Sequence, residues 1–244
     1  MCKFFSFVVD KNNDKHYFDW NQRKQFLLSD PEKYEPDSHA SICSFFKLNE
    51  DKMNKYEYNP ITKTFRIDQE NCKACSKLAK KWVQALDFKT IVKPLIVKPI
   101  INPFLIEPIK EFTNEDLLVL KKWDSVRVYV GCSVRDSIWD SVGCSVRDSV
   151  RDSIWVSIRN SIWDSIWDSI WDSIYAYNSS FFVLEKWYKF ETLEPFINPF
   201  QSAITLWENG FVPSFDGATW RIHQGKTADV IFSITKEELD LVKI

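Results

Sequence analysis

Glycine is scarce in this chain, with five in 244 residues (Gly131, Gly143, Gly210, Gly217 and Gly225), against about 7% in an average protein. Closely spaced glycines let a backbone approach phosphate, so a Walker loop and a dinucleotide-binding fingerprint are both excluded. Histidine is scarcer still. His16, His39 and His223 stand far apart, and neither HExxH nor GxSxG occurs. A basic surplus is also lacking: 32 Lys and Arg face 34 Asp and Glu, for a net charge of −2. That balance argues against nucleic acid as a partner, because phosphate contacts need clustered cations. The most apolar stretch, Thr90 to Ile106, is interrupted by Lys93, Pro94, Lys98, Pro99 and Pro103, whereas a membrane-spanning helix needs about 20 apolar residues. No secretory core follows Met1. The expectation is a cytoplasmic protein with no signal peptide, no transmembrane segment and no cofactor.

What is abundant is repetition. From Ser125 to Ala176 the chain reads as thirteen tetrads in unbroken register: SVRV YVGC SVRD SIWD SVGC SVRD SVRD SIWV SIRN SIWD SIWD SIWD SIYA. The first position is Ser except at Tyr129, and the second is always Val or Ile. The third moves among Arg, Gly, Trp and Tyr, the fourth among Asp, Val, Cys, Asn and Ala. Such an array is a repeat architecture by signature.

Two backbones compete for a strict period of four. An α-helix turns about 100° per residue, so each tetrad advances about 40° and a Ser-Ile face circles the axis. A single helix over the array would also run to about 78 Å, against a radius of gyration of about 18 Å for a compact chain of this length. Asp164, Asp168 and Asp172 would then repel one another at i, i+4. A β-solenoid with a whole number of tetrads per coil makes every repeat equivalent, with Val and Ile stacked inside. A sixteen-residue coil aligns Trp139, Trp155 and Trp171 in one column and Asp136, Asp152 and Asp168 in another. The fold class expected is therefore α+β, with small α+β domains flanking a tetrapeptide-repeat β-solenoid. A helical array is the alternative, favoured by the capped helix that starts at Thr113-Asn-Glu-Asp and runs into the array without a breaker. The domains expected are 1–112, an array with its leading helix over 113–178, and a C-terminal cap over 179–244.

Trp, Arg and Gly differ by single changes at the first base of NGG codons, so an expanding and mutating DNA repeat accounts for both the register and the restricted alphabet. The binding surface expected is formed by Arg127, Arg135, Trp139, Arg147, Arg151, Trp155, Arg159, Trp163, Trp167 and Trp171, since Trp and Arg dominate interface hot spots. Neutral drift on a solvated face is the competing account.

The flanks read as ordinary α+β sequence. A hairpin is expected over Lys3 to Asp10 and Lys15 to Trp20, with helices over Asn21 to Leu28 and His39 to Leu48. A second hairpin surrounds Pro60. An amphipathic helix over Asn71 to Leu86 should bury Leu78, Trp82, Val83 and Leu86. After it comes an extended, Pro-rich segment. A helix over Ser202 to Glu208 stops at Asn209-Gly210, and a hairpin turns at Asp216-Gly217. Ile-Asn-Pro-Phe occurs at Ile101 to Phe104 and again at Ile197 to Phe200, which suggests matching connections into and out of the array.

Several phrases, Lys3-Phe-Phe-Ser-Phe, Tyr17-Phe-Asp-Trp, Asn54-Lys-Tyr-Glu-Tyr-Asn-Pro, the tetrads and Val212-Pro-Ser-Phe-Asp-Gly-Ala-Thr-Trp-Arg-Ile-His, resemble an uncharacterised group of bacterial and phage proteins with tetrapeptide arrays. The resemblance implies a phage or mobile-element context and brings no catalytic residue with it.

Candidate chemistry is sparse. Cys72-Lys-Ala-Cys75 has zinc or redox spacing but lacks a second ligand pair. The remaining cysteines, Cys2, Cys43, Cys132 and Cys144, are expected to be free thiols, with Cys2 a candidate N-terminal nucleophile. Asp216, Trp220, Arg221 and His223 gather on one hairpin and form a secondary candidate site. Asp19, Trp20 and Arg23 gather at a strand-to-helix turn. The function expected is a non-enzymatic interaction protein, its partner a protein, either a host factor or another copy of itself, with a small ligand also open. An anti-defence enzyme or nucleotide-binding factor, and a virion structural component, are the alternatives.

Overall fold

The structure, a computed structural model, describes residues 4–29, 35–107, 110–161 and 170–243. Among the described residues there are ten α-helices and two antiparallel sheets. The chain divides into two compact units, Met1–Pro99 with Ile138–Val150 and Ile100–Ser137 with Arg151–Ile244.

In the first unit, β1 (Phe5–Val9), β2 (Lys15–His16), β3 (Asn54–Asn59) and β4 (Thr64–Gln69) form a sheet in the order β2-β1-β3-β4. β1 reads FSFVV and is buried at every residue, as befits a strand covered on both faces. Phe5 packs edge-on to Phe88, and Phe7 meets Tyr56 and Trp82 with ring centroids 5.4 and 5.0 Å away. A second cluster joins Val8, Phe18, Ile42, Cys43 and Met53. It lies under α1 (Trp20–Ser29) and α2 (His39–Phe45), the latter capped by the Ser38 hydroxyl. The helix expected from Asn71 begins later, as α3 (Ser76–Gln84), and buries Ala79 and Val83. Leu78, expected inside, is 53% exposed. Residues 71–74 instead wrap around the Asn54 side chain. α4 (Phe88–Ile91) follows.

The described residues of the array are helical, which overturns the β-solenoid. α5 (Asn114–Arg127) carries the expected capping box, formed by Thr113 and Asp116, and runs into the first tetrad. α6 (Val130–Val142), α7 (Cys144–Ile158), a 3-10 turn over Arg159–Ser161 and α8 (Trp171–Ser179) follow, with no strand among the described residues of the array. The 40° slip per tetrad rules out one long helix but not several short ones. Across the three tetrad steps of α6 it totals about 120°, close to the width of an ordinary apolar stripe. Gly143 then resets the register. Its φ of +81° suits glycine, and its N–H donates to the Trp139 carbonyl at 2.8 Å, closing α6. The repulsion that counted against a helix is offset by neighbours: Arg135, Arg147 and Arg151 each pair with the Asp that follows, at 2.8, 2.9 and 3.0 Å. Asp172 pairs with Arg127, while Asp164 and Asp168 lie outside the described residues.

In the second unit, β5 (Val212–Phe215), β6 (Thr219–Gln224) and β7 (Asp229–Thr235) form a meander. α9 (Gln201–Glu208) ends at Asn209-Gly210, and α10 (Lys236–Leu241) is capped by Thr235 and Glu238. The two Ile-Asn-Pro-Phe copies adopt one turn. Asn102 Oδ1 accepts from the Phe104 N–H at 3.0 Å and Asn198 Oδ1 from the Phe200 N–H at 2.9 Å. Each Asn then uses its amide to hold the array or its edge, Asn102 on the Ser157 carbonyl and Asn198 on the Ser179 hydroxyl. Asn-Pro fixes such turns because the Asn side chain bonds its own backbone two residues on.

Candidate functional site

The tetrad divides between core and surface. From Val130 to Ile158 every second-position Val or Ile is between 0% and 2% exposed, as are Ile170 and Ile174. First-position serines lie beside them, and several form distant hydrogen bonds. Ser137 Oγ accepts from the Tyr188 N–H at 2.7 Å, Ser145 Oγ donates to Asp37 at 2.6 Å, and Ser173 Oγ donates to the Pro213 carbonyl at 2.8 Å. A small hydroxyl both lets a neighbour approach closely and satisfies a buried polar group. Of the described third-position residues three are exposed to solvent, Arg135 at 60% of its side chain, Trp139 at 39%, and Arg159.

Not every expected residue is displayed. In the first unit Arg147 is mostly covered, with its guanidinium 5.3 Å from the Trp139 ring centroid. In the second, Trp155 is half-buried and stacks on Trp171 at 6.2 Å and 23°, and Trp171 meets Tyr175 at 5.9 Å. Arg151 is partly exposed beside Asp152. Arg127 is a pin rather than a contact residue. Its guanidinium lies 4.7 Å from Phe215 and 5.5 Å from Trp220, and it pairs with Asp172 at 2.7 Å. Trp163 and Trp167 lie outside the described residues.

The secondary cluster separates into structural parts. Asp216 Oδ1 accepts from the Thr219 and Ala218 N–H groups, and Oδ2 meets Arg221 at 2.5 Å. Those bonds, the backbone ones first, hold its carboxyl down at about 2. Trp220 is buried and donates Nε1–H to Asp124 at 3.0 Å, and Asp124 also pairs with Lys236 at 2.6 Å. His223 does not meet Asp216. Its Nδ1–H donates to the Ala228 carbonyl at 3.0 Å, which leaves Nε2 to accept the Ser214 hydroxyl at 2.8 Å. His223 and Ser214 are 2% and 3% exposed, and burial pushes the imidazole below its ordinary value. A neutral, sealed histidine bonded at both nitrogens ties β5, β6 and the turn at Ala228 together. Ala228 adopts φ +53°, which aims its carbonyl at the ring.

Two arrangements had no local signal in the sequence. Arg23 at the strand-to-helix turn forms a bidentate pair with Asp37, at 2.5 and 3.1 Å, both residues 1% exposed. Asn54 holds the Cys72 loop. Their partners are 14 and 17 or more residues distant, beyond any periodicity. Cys43, Cys72, Cys75 and Cys132 are free thiols, whereas Cys2 lies outside the described residues. Among the described residues no three His, Cys, Asp or Glu side chains gather as a metal-ion site, and no helix is long and apolar enough to cross a membrane. No family model, curated protein or solved structure matches the chain.

Proposed function

We propose that the chain is a non-enzymatic interaction protein whose tetrad helices present a Trp/Arg surface to a protein partner. The observation that supports this reading is the division of the tetrad. Residues of the fixed second position fill the core, and the varying third position supplies Arg135, Trp139, Arg151 and Arg159 at the surface. Substitution there alters the displayed chemistry while leaving the core intact. The charge pattern narrows the partner. Because Arg135 and Arg151 are each paired with the next Asp, the exposed third positions offer planar guanidinium and indole faces with little local charge, suited to near-neutral protein contacts rather than to phosphate.

The test is capture of partners from a bacterial lysate with two baits, the wild-type chain and a variant carrying Arg135→Ala, Trp139→Ala, Arg151→Ala and Arg159→Ala, both verified as folded by cooperative urea unfolding. The reading predicts a protein recovered by the first bait and lost with the second. Equal recovery by both, or recovery by neither, overturns it.

A further inference from the structure

Cys72 and Cys75 stand apart from the interaction surface. They are separated by Lys73-Ala74, and Cys75 is the N-cap of α3. The segment bends at Cys72 and Lys73 and is clamped from two sides. Buried Asn54 accepts the Asn71 and Cys72 N–H groups on Oδ1, at 2.7 and 2.8 Å. Its Nδ2 reaches both the Cys72 and Ala74 carbonyls at 3.3 Å. Asn13 Oδ1 accepts the Cys75 N–H at 2.9 Å. Two carbonyls two residues apart touching one nitrogen means the chain curls tightly around a single side chain. Only Lys73 and Ala74 separate the two cysteines, and the bends at Cys72 and Lys73 fold the short segment back on itself, as a disulfide between residues so close in sequence requires.

All of these clamps grip backbone atoms, so pairing the sulfurs dismantles none of them. Cys72 Sγ donates only a weak, long hydrogen bond, to the Val9 carbonyl at 3.7 Å. The thiols also differ in access. Cys75 is exposed and makes no side-chain capping bond to α3, while Cys72 is half-buried. An accessible attacking thiol beside a shielded resolving thiol is the arrangement thiol–disulfide exchange uses.

We infer that Cys72 and Cys75 form a reversible dithiol–disulfide couple that exchanges two electrons with a low-molecular-weight disulfide such as oxidised glutathione. The Cys75 thiolate attacks one glutathione sulfur, forming a mixed disulfide and expelling one glutathione thiolate. The Cys72 thiolate then attacks Cys75 Sγ, the mixed disulfide breaks, and the second glutathione thiolate leaves. The protein loses two electrons and two protons, and one oxidised glutathione becomes two reduced ones. Cys43, buried with its thiol pushed up chiefly by burial, stays outside this chemistry.

The experiment equilibrates the full-length chain in glutathione buffers of graded reduced-to-oxidised ratio, followed by an acid quench, alkylation, and digestion that leaves Lys73 uncut. Mass spectrometry of the peptide holding both cysteines is expected to show both alkyl groups lost together as the buffer becomes oxidising, with no glutathione attached. Cys72→Ser is expected to trap a persistent glutathione adduct on Cys75. If that variant does not fold, the wild-type peptide decides alone. Accumulation of singly glutathionylated wild-type peptide, or full alkylation across buffers that oxidise a reference dithiol, overturns the inference.

Discussion

Ser145 donates its hydroxyl to Asp37 Oδ2 at 2.6 Å, and the same carboxylate holds Arg23 in a bidentate pair. A first-position serine of the array thereby completes the coordination of a sealed ion pair, which also accepts the Ser6 N–H of β1. Removing one partner of a buried pair costs about 3–5 kcal/mol, because the other charge is left uncompensated. Asp37→Ala is therefore expected to lose that much stability in urea unfolding, whereas Ser145→Ala removes one bond among several and loses about 1 kcal/mol.

Adjacent residues of one tetrad should behave as opposites. Ile138 is wholly buried and Trp139 is substantially exposed. Ile138→Ala is expected to cost about 2–5 kcal/mol. Trp139→Ala removes a ring that is only partly covered, together with a cation–π contact with Arg147, and should cost less than Ile138→Ala, about 1–2 kcal/mol. Equilibrium unfolding of the two variants checks the order.

His223 makes stability depend on mildly acid pH. Burial lowers its folded value below the ordinary 6.5, so between those two values the unfolded chain binds the extra proton. Stability is then complete above about pH 6.5 and falls as pH drops through the folded value. His223→Gln should flatten this part of the unfolding-midpoint profile relative to wild type.

Tyr177 acts at the other extreme. Its hydroxyl accepts the Ile101 N–H at 2.9 Å, its ring stacks on Trp207 at 4.9 Å, and burial pushes its phenol up to about 12. The folded chain keeps this proton where the unfolded chain loses it, so the contribution is complete below about pH 10 and disappears as pH climbs toward the folded value. Tyr177→Phe should leave the Ile101 N–H unpaired and cost about 1–3 kcal/mol at neutral pH, while removing the alkaline slope.

Local chemistry made much of the flanks readable. Alternation around Pro60 marked β3 and β4, Asn209-Gly210 marked the end of α9, and the two Asn-Pro phrases marked paired turns. The array's period is legible but its helices are not, because a strict period of four disfavours one long rod, whereas breaks at Val128-Tyr129 and Gly143 divide its described residues into helices short enough to tolerate the slip. The thermodynamically important pairings were out of reach for a different reason. Arg23 with Asp37, Ser214 with His223, and Asn54 with the Cys72 loop depend on strand order and register, which no local pattern encodes.

The direct measurement is backbone assignment by NMR of the full chain, reading Cα secondary shifts from Val130 to Ile158. Continuous downfield shifts interrupted at Gly143 are the result expected of helices that bury Val and Ile and display Arg and Trp. Upfield shifts recurring through the tetrads would mean extended strands and contradict the account.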